Sequence, residues 1–317
     1  MVGIIILNYN NPAITIKCFE SIERFNTAPC KYIFVDNAST DDSVQILDSY
    51  FMGNENSRYV KYVEGDAAPE MLSEISFVEA KRNTGYACGN NLGCYLTEKD
   101  KSIDKILILN NDILFMEDII PSMSAFMDSH PEAAIVSVLL MEKAGGEFKF
   151  NSARRNCTVG ELFAIYAHWS DLQKKFNRKR QIFLDSPELI SLESLQIELP
   201  VGACMLIDRS VFESIGYFDP HTFLYYEENI LYKKIRKINK KIYILPRLKV
   251  IHTGGTTIKK TKFSYFQEIQ KSRSAYYYGM HYSGMSFFLK PLFWLVYQYH
   301  LCRLKMRLLR ERINNHS

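Results

Sequence analysis

The run Ile106-Leu-Ile-Leu109, closed by Asn110-Asn-Asp112, constrains this chain more than any other stretch. Four consecutive bulky aliphatics suit a strand buried on both faces, the condition of a parallel sheet covered by helices. Ligands of such sheets bind beyond the carboxyl ends of the strands, so two amides and one carboxylate at that end are placed for chemistry. Judged alone, Asp112 serves equally well as the start of a helix, because Glu117 and Asp118 follow in the next turn.

Short apolar runs alternate with helical segments through the first third, which predicts an α/β fold with a mostly parallel, mixed sheet. Strands are expected at 3–7, 31–35, 59–63, 76–79 and 105–109, and helices at 12–24, 42–51 and 89–96. Ser39 or Asp41 is expected to cap the second helix. Residues 143–198 read as an elaborated loop and helix region carrying the basic cluster Lys174, Lys175, Arg178, Lys179 and Arg180. A strand at 199–207 and a helix at 208–215 closed by Gly216 follow, then a helix at 227–238.

At 317 residues, with 47% hydrophobic and 23% charged side chains, the chain has ordinary globular composition rather than that of a disordered one. The net charge of +4 is too small for a dedicated nucleic-acid binder. The basic run from Lys233 to Lys241 is interleaved with Ile235 and Ile238, as on a solvated helix packed by one face. Seven cysteines form no Cys-X-X-Cys pair, which suggests reduced thiols acting as small apolar fillers. Residues 2–7 are too short for a signal-peptide core, and the apolar stretch 287–296 is interrupted by Lys290 and Pro291. No transmembrane helix and a cytoplasmic location are expected.

Five elements stand in order: Asn8-Tyr-Asn10, Val35-Asp-Asn-Ala-Ser-Thr-Asp-Asp-Ser43, Asn83-Thr-Gly-Tyr-Ala-Cys-Gly-Asn-Asn-Leu-Gly93, Asn110-Asn-Asp112, and Gly216-Tyr-Phe-Asp-Pro220 running to Tyr226-Glu-Glu-Asn229. Together they resemble family 2 glycosyltransferases of the GT-A fold, in particular bacterial surface-polysaccharide enzymes such as rhamnosyltransferases and galactofuranosyltransferases. The resemblance implies a catalytic domain over 1–258, with a nucleotide-sugar half at 1–112 and an acceptor half at 113–258. A C-terminal helical extension would occupy 259–317.

The resemblance also implies roles. Asp36, at a strand end, would contact the donor's base or ribose, with Asn8, Asn10, Asn83, Asn110 and Asn111 around the donor. Asp112 matches the last acid of the family's Asp-X-Asp signature, which holds Mn²⁺ or Mg²⁺ against the donor phosphates, and His252 stands where relatives complete that metal site. Glu228 matches the general base of inverting enzymes, with Glu227 beside it; Glu replaces the usual Asp, and Ile230 stands where a further acid is common. Asp219 matches an acceptor-side position. The activity implied is transfer of a sugar from a dTDP- or UDP-linked donor to a lipid-linked glycan at the inner face of the cell membrane. Asn110 in the signature and Glu-Glu in place of Glu-Asp leave a second reading, a nucleotide-sugar-binding or scaffold protein without turnover.

Beyond Tyr276 the chain is aromatic and then basic, with Arg303, Lys305, Arg307, Arg310 and Arg312. Phe293, Tyr297, Leu301, Leu304 and Leu308 recur at helical spacing as an apolar seam. That seam fits peripheral contact with an anionic membrane, an oligomer interface, or a helix packed on the catalytic domain.

Overall fold

The computed structural model describes residues 1–53, 58–167, 170–254 and 265–314. In chain order the first half holds β1 (Val2–Asn8), α1 (Pro12–Phe25), β2 (Cys30–Asp36), α2 (Ser43–Met52), β3 (Tyr59–Val63), β4 (Ile75–Glu79), α3 (Gly85–Thr97) and β5 (Lys105–Asn110). Next come β6 (Ile113–Phe115), α4 (Ile120–Ser129), β7 (Ala133–Met141), β8 (Ala153–Arg154), α5 (Val159–Tyr166), α6 (Ser170–Arg180), α7 (Ile182–Asp185), β9 (Leu195–Ile197) and β10 (Leu199–Pro200). The chain continues through β11 (Cys204–Asp208), α8 (Arg209–Ser214), α9 (Glu227–Lys237), β12 (Lys241–His252), α10 (Tyr265–His281) and α11 (Lys290–Asn314).

Nine strands follow the order β3-β4-β2-β1-β5-β11-β7-β12-β6, and β9 adds to β12. The five from β3 to β5 are parallel, as their βα order requires. Beyond β5 the sheet becomes mixed, with β11 antiparallel to both neighbours. The register sets Asn8 beside Asp36 and Leu7 beside Asn110, so the three central strands end at one level. Ile4, Ile5 and Ile6 are wholly buried on β1, as are Ile106 to Ile108 on β5, and each face of the sheet supports its own apolar core.

Local differences from the sequence expectation have physical causes. The strand expected at 199–207 is broken at 201–203, and its first piece pairs with β8 instead of continuing into β11. Helix α3 starts at Gly85, four residues before the expected start at Gly89, because Asn37 and Asn83 accept the Thr84 and Gly85 N–H groups. In the expected cap of α2, Asp41 receives the Ser43 N–H, whereas Ser39 turns inward to Asp36. The stretch 143–198 builds helices, and α5 opens on a capping box between Thr158 and Glu161.

The C-terminal helices fold back on the sheet domain. Phe293 and Tyr297 of α11 are buried in a third core with Leu162 and Tyr166 of α5, Tyr226, and Tyr278 of α10, and Leu304 is buried further along the helix. The apolar seam therefore faces the protein interior, because aromatic partners on α5 and α10 cover it. The expected domain limit at 258 falls within 255–264, outside the described residues.

Glycine is obligatory at one contact. Gly85 has φ +80°, and a Cβ there would lie 2.0 Å from the Phe223 carbonyl oxygen. Gly85→Ala is expected to cost at least ~2 kcal/mol, through left-handed strain and backbone displacement together. Urea denaturation measures it.

Candidate active site

The ends of β1, β2 and β5 are joined by one chain of hydrogen bonds. The Asn111 amide donates to the Thr15 hydroxyl (2.9 Å), Thr15 donates to Asn8 Oδ1 (2.7 Å), and Asn8 Nδ2 donates to Asp36 Oδ1 (2.7 Å). Asp36 is wholly buried and also accepts from the Ser39 hydroxyl (2.6 Å) and backbone N–H (2.9 Å). A buried carboxylate needs such donors to remain charged at acceptable cost. Ser39 also receives the Asn10 N–H (2.8 Å), and Asn10 Oδ1 receives the Thr40 N–H (2.8 Å). Asn10 and Asn11 both hold φ 60°, a left-handed conformation that asparagine tolerates better than most residues.

Asn83 lies at the start of α3, where its Oδ1 accepts from Gly85 N–H (2.9 Å) and Asn37 Nδ2 (3.2 Å). Gly89 and Gly93 on the same helix allow close approach to β1: a Cβ at either would come within 2.7 Å of Leu7 or Ile5. Asn110 ends β5, and its N–H donates to the Ala203 carbonyl (2.9 Å).

Beyond β5, Asp112 Oδ1 and His252 Nε2 stand 3.3 Å apart, with side chains only 13% and 18% exposed. The other ring nitrogen of His252, Nδ1, is buried without a partner among the described residues. Thr253 N–H and hydroxyl both donate to the Asp112 carbonyl at 3.1 Å, fixing one segment against the other. Among the described residues no group of three or more His, Cys, Asp or Glu converges as a complete metal cage. The pair nonetheless fits a shared divalent cation, since adjacent ligands at ~2.1 Å on an octahedral ion lie about 3 Å apart. An ion held there by two protein ligands would leave its other positions open to substrate or water.

The two glutamates open α9. Glu228 Oε1 accepts from the Gly202 N–H (3.0 Å) and faces the Arg154 guanidinium at 3.6 Å. Gly202 lies where the expected strand breaks, so this break turns an N–H towards the carboxylate. Ala203, its neighbour, receives the Asn110 N–H, which ties the Glu228 support to the end of β5. Glu227 is 4% exposed and one of its oxygens has no partner. Burial, reinforced by the Glu228 charge, pushes the Glu227 carboxyl up to about 8, although Thr222 offers it a hydrogen bond. The preceding Tyr225 and Tyr226 both hold φ 71°, a strained pairing for aromatic residues. Tyr226 is held there by burial against the Tyr278 ring, 5.5 Å away.

Asp219 stands apart from both groups. Its Oδ1 meets the His221 N–H (2.9 Å) and Nδ1 (2.8 Å), and its Oδ2 accepts from Tyr277 (3.2 Å) and Tyr282 (2.5 Å). Burial alone would raise this carboxyl, but those donors hold it below the usual range. Asp219 thus fastens the 216–226 loop to the end of α10.

Sequence reasoning missed Thr15, Gly202 and Arg154, and gave Ser39 a capping role instead of its place on Asp36. Thr15 sits in an ordinary amphipathic helix, and the strand break that makes Gly202 a donor has no local signature. Arg154 belongs to a strand of two residues.

A sheet of this order, parallel in one half and mixed in the other, with acids and amides at its carboxyl edge, defines the GT-A glycosyltransferase fold. The chain belongs to glycosyl transferase family 2, whose family model matches residues 3–216. It is 24% identical over 193 residues to the low-salt glycan biosynthesis hexosyltransferase Agl10 of Haloferax volcanii, a match covering 60% of this chain. The match spans about half of that relative's length, 55%. Among solved structures, the mannosyltransferase PcManGT of Pyrobaculum calidifontis, in complex with GDP-Man and Mn²⁺, is similar with a TM-score of 0.56 and 13% identity, covering 95% of this chain and 70% of that one. GalNAc-T7 with UDP, GalNAc and Mn²⁺ also gives 0.56, at 14% identity, covering 80% of this chain and 43% of that one.

The Glu227 environment predicts a pH dependence. The carboxyl ordinarily ionises near 4.5 but stays protonated in the fold up to about 8, so the native state holds a proton that the unfolded chain releases. Stability therefore falls as pH rises through that window and levels off above it. Glu227→Gln removes this loss, so thermal melts from pH 4.5 to 8 should show the variant gaining steadily on the wild type.

Proposed function

We propose that this chain is an inverting, cation-dependent glycosyltransferase, moving a sugar from a UDP- or dTDP-linked donor to a hydroxyl of a lipid-linked glycan in cell-surface polysaccharide synthesis. The observation that carries the reading is the convergence on one sheet edge. The Asn111–Thr15–Asn8–Asp36 chain, the Asp112–His252 pair and the Glu228–Gly202 contact are all tied to the end of β5 or the residues after it.

Asp36, with Asn8 and Asn10 fixed around it, supports the nucleoside. Asn83, Asn110 and Asn111 supply neutral donors and acceptors for ribose and sugar hydroxyls. Asp112 and His252 would hold the cation; the imidazole favours Mn²⁺ over Mg²⁺. When bound, that ion stabilises negative charge on the departing diphosphate. Glu228 takes the proton of the acceptor hydroxyl as its oxygen attacks the anomeric carbon, and the bond to the diphosphate breaks on the opposite side. Configuration is thereby inverted. The Gly202 N–H and Arg154 aim the carboxylate. Glu227, protonated below about pH 8, leaves Glu228 as the negative charge of the pair. Asp219 acts on the acceptor side by holding the 216–226 loop. The described relatives support the donor class: one carries GDP-Man, the other UDP.

Glu228→Gln is expected to lower transfer by ~10²–10⁴-fold while leaving donor binding intact, the magnitude of a lost general base. Asp112→Ala should abolish the cation-dependent part of the rise in melting temperature with nucleotide diphosphates. Transfer at wild-type rates by both variants would overturn the assigned roles. A wild type that binds a nucleotide sugar with cation yet transfers to no acceptor would establish the non-catalytic reading.

A further inference from the structure

Helix α11 has two apolar faces, and among the described residues only one is covered. Phe293, Tyr297, His300 and Leu304 pack inward. Half a turn away, Leu292, Leu295, Tyr299, Met306 and Leu309 are exposed along the opposite side. The short turn leading into the helix adds Phe287 and Phe288, 77% and 87% exposed. Globular surfaces rarely leave so many large apolar side chains contiguous unless something binds there.

The flanking charges identify the occupant. Arg303 and Arg310 border the outer face on one side and Lys305 on the other, and the Arg303 guanidinium lies 5.9 Å from the Tyr299 ring centre. From Ile269 through Arg310 the sequence contains no Asp or Glu, although the whole chain carries only +4. An apolar strip between cationic rows matches the boundary between acyl chains and anionic headgroups. A second copy of this face would bring like charges together, which opposes self-association. No helix among the described residues is long and apolar enough to cross a bilayer, so contact would lie in the interface plane.

We propose that Phe287, Phe288 and the outer face of α11 dock this protein on an anionic membrane surface. The aromatic turn inserts at acyl depth, the helix lies along the surface, and its arginines and lysine meet the headgroups. The proposal stands on exposure and charge, so it holds or fails independently of the transferase reading.

Co-sedimentation of the full chain with phosphatidylcholine vesicles, with and without phosphatidylserine, tests it. The wild type should pellet with the phosphatidylserine vesicles and weaken at high salt. Phe287→Ser/Phe288→Ser should lower partitioning about tenfold or more. Arg303→Gln/Arg310→Gln should erase the preference for phosphatidylserine. Both pairs are exposed, so unchanged melting temperatures and wild-type transfer to a soluble acceptor would separate lost docking from misfolding or lost catalysis. Absence of wild-type binding, or equal binding by the Phe variant, would overturn the proposal. So would a dimer in sedimentation velocity that the Phe variant dissociates, since a second copy would then occupy the face.

Discussion

Burial of the Asp36 carboxylate is the constraint on which the rest of the site depends. A charge wholly removed from water is tolerable only when fixed donors replace its hydration shell. The fold supplies them from Asn8, one strand away, and from the Ser39 turn. Meeting that demand fixes where β1 and β2 end and how the next loop bends. Thr15 and Asn111 extend the same order to β5. The order at the ends of β1, β2 and β5 is therefore set by folding itself, before any ligand arrives.

The start of α9 is organised by strain rather than by saturation. Two consecutive tyrosines in left-handed conformation deliver the chain into α9, and a nearly buried glutamate leaves one oxygen unpaired. Each is unfavourable alone and persists because the surrounding core over-determines it. Beside that unpaired oxygen, the Glu228 carboxylate is met by a backbone N–H from the interrupted strand at Gly202.

Much of the parallel half was legible because continuous aliphatic runs such as Ile4 to Ile6 and Ile106 to Leu109 permit few alternatives, and the polar residues closing them mark the sheet edge. The mixed half was not. Strand β12 contains Pro246, shifts register between Leu245 and Lys249, and pairs with β6, β7 and β9 from distant parts of the chain. Nothing local announces such pairing. Helical periodicity in α11 revealed an apolar seam but not what would cover it, since that is decided by Leu162, Tyr166 and Tyr278. Asp219 shows the same limit: its motif was visible, but its attachment to Tyr277 and Tyr282 depends on how α10 folds back.

The third core also bears on how the protein divides into parts. The family match ends at residue 216, ahead of both glutamates, while Tyr226 and Ile230 share one apolar cluster with α5, α10 and α11. The boundary suggested by shared ancestry therefore cuts through a single packing unit. Recombination between relatives at that boundary would separate Tyr226 and its Tyr278 neighbour from Leu162 and Tyr166 of α5. The unit that packs as one is instead the start of α9 together with α5, α10 and α11, and a crossover that respects the packing would move all four together.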